Sequence, residues 1–157
     1  MPKPKRRGFT LIELLVTLAV VGVLMTIGFP KMRTALLKAK VRSARSSVIT
    51  LYNQARARAI REGRSMTVHF DNGTAQVWIT GSPRRAGGSA TCFCDTVDVV
   101  RNLGSLYGVT VSATPDSFRV DARGLGVQPT TAGTAVILTR AGFRDSILIS
   151  GYGRIAK

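Results

Sequence analysis

Few residues in this sequence are placed for chemistry. His69 is the one histidine, and its neighbours alternate as a strand does, so none of the serines gains a base with a third group behind it. The acids Asp71, Asp95, Asp98, Asp116, Asp121 and Asp145 mostly fall in or beside turns, where aspartate bonds the local backbone. Gly87-Gly88 lacks the Lys-Ser/Thr and the helix that complete a phosphate-binding loop. Cys92 and Cys94 are the two cysteines. A C-x-C pair falls short of the roughly four ligands of structural zinc, and a disulfide across so short a loop would be strained. They read as small loop residues. The expectation is a protein that is not an enzyme and has no metal or cofactor. One juxtaposition stands apart. If the chain were cut between Gly8 and Phe9, the new α-amino group would lie four residues from the Glu13 carboxylate. Amine and carboxylate could then approach within one helix, or neutralise each other between neighbouring helices and set their axial register.

The element that must carry Glu13 is an apolar run from Phe9 to Phe29, roughly the twenty residues that a bilayer-spanning helix needs. Met1-Pro-Lys-Pro-Lys-Arg-Arg-Gly8 precedes it, a basic flank that favours a cytoplasmic N-terminus. Pro30, Lys31 and Arg33 follow, with nothing like the small-residue cleavage site of a secretory signal. A plain signal anchor fits the length. It does not account for Glu13, because a carboxylate near the start of a membrane helix costs a few kcal/mol unless it is paired.

Past Lys31 the pattern becomes an amphipathic helix to about Gly63. Val41, Ala44, Val48, Leu51, Tyr52, Ala55 and Ala59 form one stripe, and Lys38, Arg42 and Arg45 share another face. Pro30 is expected to kink the junction, and Gly63 to end the helix. Beyond it the period is two. A hairpin is expected with Met66, Val68 and Phe70 on one strand, a turn at Asp71-Asn72-Gly73, and Ala75, Val77 and Ile79 on the other. Gly81–Thr91 reads as a loop, and further strands are expected over Val97–Leu103, Tyr107–Ser112, Ser117–Asp121, Ala135–Thr139 and Ser146–Ser150. No second long helix is expected. The fold class is therefore α+β: a long N-terminal helix, membrane half plus amphipathic half, packed on an antiparallel β-sheet.

Across 157 residues the net charge is +15. Lys3, Lys5, Arg6 and Arg7 supply four of those charges, so a chain without its first eight residues carries about +11. A surface this basic attracts polyanions. Arg84-Arg85 lies in the loop, Arg140 and Arg144 flank a turn, and Arg154 and Lys157 end the chain. Because these last two pairs bracket one expected strand, several cations could meet phosphates and give salt-sensitive, sequence-independent binding to nucleic acid. A solvated basic face, acidic partner subunits, or anionic lipid near Lys31–Arg45 are the competing explanations.

Gly8-Phe9-Thr10-Leu11-Ile12-Glu13 resembles the processing motif of type IV pilins and of the pseudopilins of type II secretion. The resemblance implies a leader at 1–8 and cleavage by a prepilin peptidase after Gly8. It further implies methylation of Phe9 and use of Glu13 in assembly. Phe118-Arg-Val-Asp-Ala-Arg123-Gly124, Gly133-Thr134 and Ser146-Ile-Leu-Ile-Ser150-Gly-Tyr-Gly153-Arg154 are similar to the GspH/FimT branch. That likeness implies a transmembrane helix at 9–30 and a periplasmic domain at 31–157. The inner membrane would hold the protein before assembly, and a pilus or pseudopilus after it. FimT-like members bind DNA in natural transformation through a C-terminal Gly-Arg-x-Arg motif and nearby loop cations. Gly153-Arg154-Ile155 matches its first three positions, whereas Ala156 replaces the second arginine and Lys157 comes one residue late. The implied function is a FimT-like minor pilin that contacts DNA through Arg154, Lys157, Arg140 and Arg144. The alternatives are a GspH-like minor pseudopilin or a purely structural subunit, and the implied partners are other pilins, the peptidase, the inner membrane and DNA.

Overall fold

Helix α1 (Leu11–Glu62) is the longest element and runs on through Pro30, where the Thr34 hydroxyl donates to the Pro30 carbonyl at 3.0 Å. The computed structural model describes residues 8–82, 95–97, 99–127 and 133–156. It divides into two units, one ending at Leu36 and the other beginning at Leu37. In the first unit the apolar side chains of α1, among them Leu11, Leu15, Val20 and Phe29, are exposed.

The second unit is built on the other half of α1. Its stripe of Val41, Ala44, Val48, Leu51, Tyr52, Ala55 and Ala59 is buried in one core with the sheet residues. Each fully buried Val or Leu contributes about 1.5–3 kcal/mol. Alanines at 44, 55 and 59 lie wholly inside this core, where only a methyl group occupies the helix surface. Gly63 stops the helix with φ 63°, a left-handed conformation that favours glycine.

Two antiparallel sheets, where one was expected, complete this core. In the first, β2 (Gln76–Gly81) and β1 (Met66–Asp71) form the hairpin anticipated from the period of two, and β6 (Ser117–Val120) pairs with β1. Two short strands, β3 (Asp95–Thr96) and β4 (Arg101–Asn102), pair with the two ends of β2. The second sheet has the order β5 (Thr110–Thr114), β7 (Thr134–Arg140), β8 (Phe143–Ile149) and β9 (Ile155–Ala156). Of the single strand expected over Val97–Leu103, only Arg101–Asn102 is strand among the described residues, and Leu103 already begins a short helix, α2 (Leu103–Tyr107). A local hydrogen bond accounts for it. The Asn102 side chain accepts from Ser105 N at 2.9 Å, which caps a helix where hydrophobicity alone reads as strand. Gly108 ends α2, so β5 starts three residues later than expected, keeping Val109, Val111 and Ala113 on the buried face.

Asn72, in the β1–β2 turn, joins the two sheets. Its amide nitrogen donates to the Ala113 carbonyl at 3.2 Å, and its oxygen accepts from Ala113 N at 2.7 Å. The side chain thus acts as one residue of a neighbouring strand on the outer edge of β5 and satisfies backbone groups that an edge leaves open. The substitution Asn72→Ala is expected to remove both bonds and lower stability by about 1–2 kcal/mol, read as a reduced urea midpoint with unchanged slope.

Candidate functional site

At the start of the chain, Gly8, Phe9 and Thr10 precede the first helical residue, and Phe9 is 81 % exposed. The Gly8–Phe9 bond is therefore in non-helical, accessible backbone. Thr10 caps α1: its hydroxyl accepts from Glu13 N at 3.3 Å and its carbonyl from Leu14 N at 3.2 Å. Thr10-x-x-Glu13 is thus a helix-capping spacing, a signal present in the sequence that the reading above passed over. Glu13 sits in the first turn, where a carboxylate also suits the helix dipole.

At the other end, β8 is followed by a tight turn. Gly153 N donates to the Ser150 carbonyl at 2.7 Å, and Ser150 N donates to the Arg154 carbonyl at 2.8 Å. The Ser150 hydroxyl accepts from Arg154 N at 3.0 Å. This turn is fastened to α1 by Tyr52, whose buried hydroxyl donates to the Gly153 carbonyl at 2.9 Å. Burial pushes the Tyr52 pKa up, against a smaller opposing effect of Arg56, so the phenol remains a donor. Gly153 has φ 83°, and a Cβ there would lie 2.5 Å from the Tyr52 oxygen. Only glycine fits this contact. Arg154, next along, is exposed.

The remaining cations named from the sequence fall elsewhere. Arg140 pairs with Phe143 and Arg144 with Thr139, both at the β7–β8 turn. Arg154 lies past the opposite end of β8, about 20 Å away at strand rise. The structure therefore does not bring Arg140 and Arg144 together with Arg154: bracketing one strand places the pairs at its two ends. Arg140 is half-buried with its guanidinium over Gly108. Arg144 instead borders a groove of about 300 Å³, lined with it by Lys38, Val41, Arg42, Phe143 and Asp145. Lys157, Arg84, Arg85, Cys92 and Cys94 lie outside the described residues.

His69 is in β1, as its alternation suggested, stacked on Trp78 with ring centroids 5.3 Å apart and 2.8 Å from the Thr80 hydroxyl. Burial lowers its pKa, outweighing the charge of Asp116. No group of three or more metal-ligating side chains occurs among the described residues.

A long helix, a two-sheet globular unit and an accessible Gly8–Phe9 bond ahead of Glu13 define a type IV pilin-like subunit. The prokaryotic N-terminal methylation motif matches residues 3–29, and the family model of the type II transport protein GspH matches residues 44–153. The chain belongs to this GspH family of minor pilins and pseudopilins. Its fold is similar to the type IV minor pilin FimU of Pseudomonas aeruginosa strain PAO1, at 17 % identity and TM-score 0.56, over 75 % of this chain and 87 % of that one. It is also similar to the minor pseudopilin EpsH from the type 2 secretion system of Vibrio cholerae, at 15 % identity and TM-score 0.52, over 73 % of this chain and 91 % of that one. No curated protein matches the sequence. Family membership implies assembly with other pilin-like subunits and processing by a peptidase, a structural role rather than an enzymatic one.

Tyr52→Phe should keep the core volume but leave the Gly153 carbonyl without its donor. The expected cost is about 1–3 kcal/mol, with hydrogen exchange at Gly153 and Arg154 accelerated more than in the β1–β2 hairpin.

Proposed function

We propose that this protein is a FimT-like minor pilin of a type IV pilus that adsorbs DNA without sequence preference. Its leader, residues 1–8, is removed after Gly8 and Phe9 is methylated. Residues 9–30 then anchor it once across the inner membrane, with 31–157 in the periplasm. Glu13 neutralises a neighbouring α-amino group as the subunit enters the filament at low copy. An apolar helix long enough to cross a membrane supports the anchor, and the accessible bond before Phe9 supports the cut.

The observation that carries the DNA reading is the Tyr52-clamped turn, which holds Arg154 outward next to the chain terminus. Arg154 and Lys157 would meet phosphates there, displacing counterions. Ala156 pairs with Leu148 on the exposed face of β8, so the motif position that it occupies supplies no charge. Arg140 and Arg144, at the far end of β8, are outside this contact.

A GspH-like minor pseudopilin is the second reading, favoured by the family model that covers residues 44–153. Deleting the gene separates the two: lost transformation with intact protein secretion fits the pilus, and the reverse fits the pseudopilus. Mass spectrometry of the mature protein should find a methylated chain beginning at Phe9; a chain beginning at Met1 would refute the processing. For DNA, the mature protein should bind duplex with an affinity that falls as salt rises. Replacing Arg154 and Lys157 by alanine should reduce the log–log salt slope by about 2. An unchanged slope would exclude these residues, and no binding at low salt would leave a purely structural subunit.

A further inference from the structure

The groove between α1 and the β7–β8 turn gathers charge that neither the processing motif nor the DNA turn uses. Lys38, Arg42 and Arg45 come from successive turns of α1, while Arg144 and Asp145 come from β8. Lys38, Arg42 and Arg45 lie on the side of β8 that carries the one carboxylate, and Arg144 borders the groove from the opposite face of the strand. That carboxylate is engaged: Asp145 Oδ2 lies 4.0 Å from Arg45 Nε, and Oδ1 accepts from Ser146 N at 2.9 Å. Arg45 Nε is buried and has no hydrogen-bond acceptor among the described residues. No ion pair engages Lys38, Arg42 or Arg144 among those residues. Two of the lining residues are apolar. Val41 is buried at the base, and the Phe143 ring stands with Lys38 Nζ 5.3 Å from its centroid. The site is thus shaped for a carboxylate on a short aliphatic stem, which places methylenes on Phe143 and oxygens among the guanidinium groups.

We propose that this groove docks an acidic segment of a different, acidic pilin-like subunit. The inference rests on the reading that the chain assembles in a filament. Charge decides the occupant. A second copy of this chain, still about +11 once the four leader cations are removed, would bring like charge to like charge, which is costly across an interface. Duplex DNA calls for cations spread along a phosphate track, whereas these converge on one pocket of about 300 Å³ with an aromatic wall. The same imbalance gives a physical reason for low copy number: the subunit is stable beside acidic neighbours and repels its own kind.

The test uses the full chain in its native cells, with the photoreactive residue p-benzoylphenylalanine in place of Phe143 and, in a separate strain, in place of Leu15 in the exposed apolar part of α1. The expected result is a residue-143 adduct to an acidic stretch of a different pilin-like subunit. Its yield should fall at least about tenfold when Arg42→Glu and Arg144→Glu are added, and recover when the partner's cross-linked acid is changed to lysine. Arg42 and Arg144 are exposed, so their reversal leaves the core intact; Arg42→Gln with Arg144→Gln should give a smaller loss. Adducts at 143 to a second copy, to lipid or to DNA, or a yield indifferent to charge reversal, would overturn the proposal. Adducts from position 15 to other subunits with none from 143 would overturn the groove alone. Adducts from neither position would overturn the assembly reading beneath it.

Discussion

The globular unit depends on one constraint: the stripe from Val41 to Ala59 on α1 must be buried by two sheets at once. Small residues at 44, 55 and 59 leave only methyl groups at those points of the helix surface, and Leu51 and Tyr52 fill the space between them. Tyr52 does most to connect the parts. Its ring meets Phe118 of the first sheet edge-on, with centroids 5.6 Å apart, and its hydroxyl holds the turn after the second. An aromatic side chain with a polar tip suits this position, because it buries a large apolar area and still satisfies a carbonyl.

From that packing follows the placement of charge. Apolar side chains are drawn to the inner faces of both sheets, so cations collect at turns, on outer faces and along the flank of α1. The β7–β8 turn reaches α1 near Lys38 and Arg42, and the turn after β8 returns to α1 at Tyr52. One strand therefore carries two basic sites, at opposite ends and against different stretches of the same helix. Their environments differ as much as their positions. Arg154 is displayed on a backbone turn with a polar hydroxyl behind it, whereas Arg144 shares a pocket with an aromatic ring and one carboxylate.

Local patterns made much of this legible. All seven stripe residues are buried as their spacing requires, because helical periodicity reports a face directly. The β1–β2 hairpin and the strand position of His69 also follow from alternation. Two expectations were not met. The Val97–Leu103 stretch is apolar enough for a strand, but the Asn102 cap turns its end into α2, and a single side-chain hydrogen bond outweighs a weak preference. The division into two sheets was also hidden, because it rests on pairings between strands far apart in the chain, and the Asn72–Ala113 link that ties the sheets together spans forty-one residues.

What the sequence determined alone was the nature of the N-terminal segment: Gly8, Phe9 and Glu13 ahead of an unbroken apolar run, adjacent in the chain and needing no fold to be recognised. It also set the basic excess. The tertiary structure decided which cations act together. Arg140, Arg144 and Arg154 look like one cluster along the chain, yet an extended strand separates its ends by about 3.3 Å per residue. The same strand carries Arg144 to the groove of Lys38 and Arg42, a hundred residues earlier in the sequence, because β8 shares one core with α1.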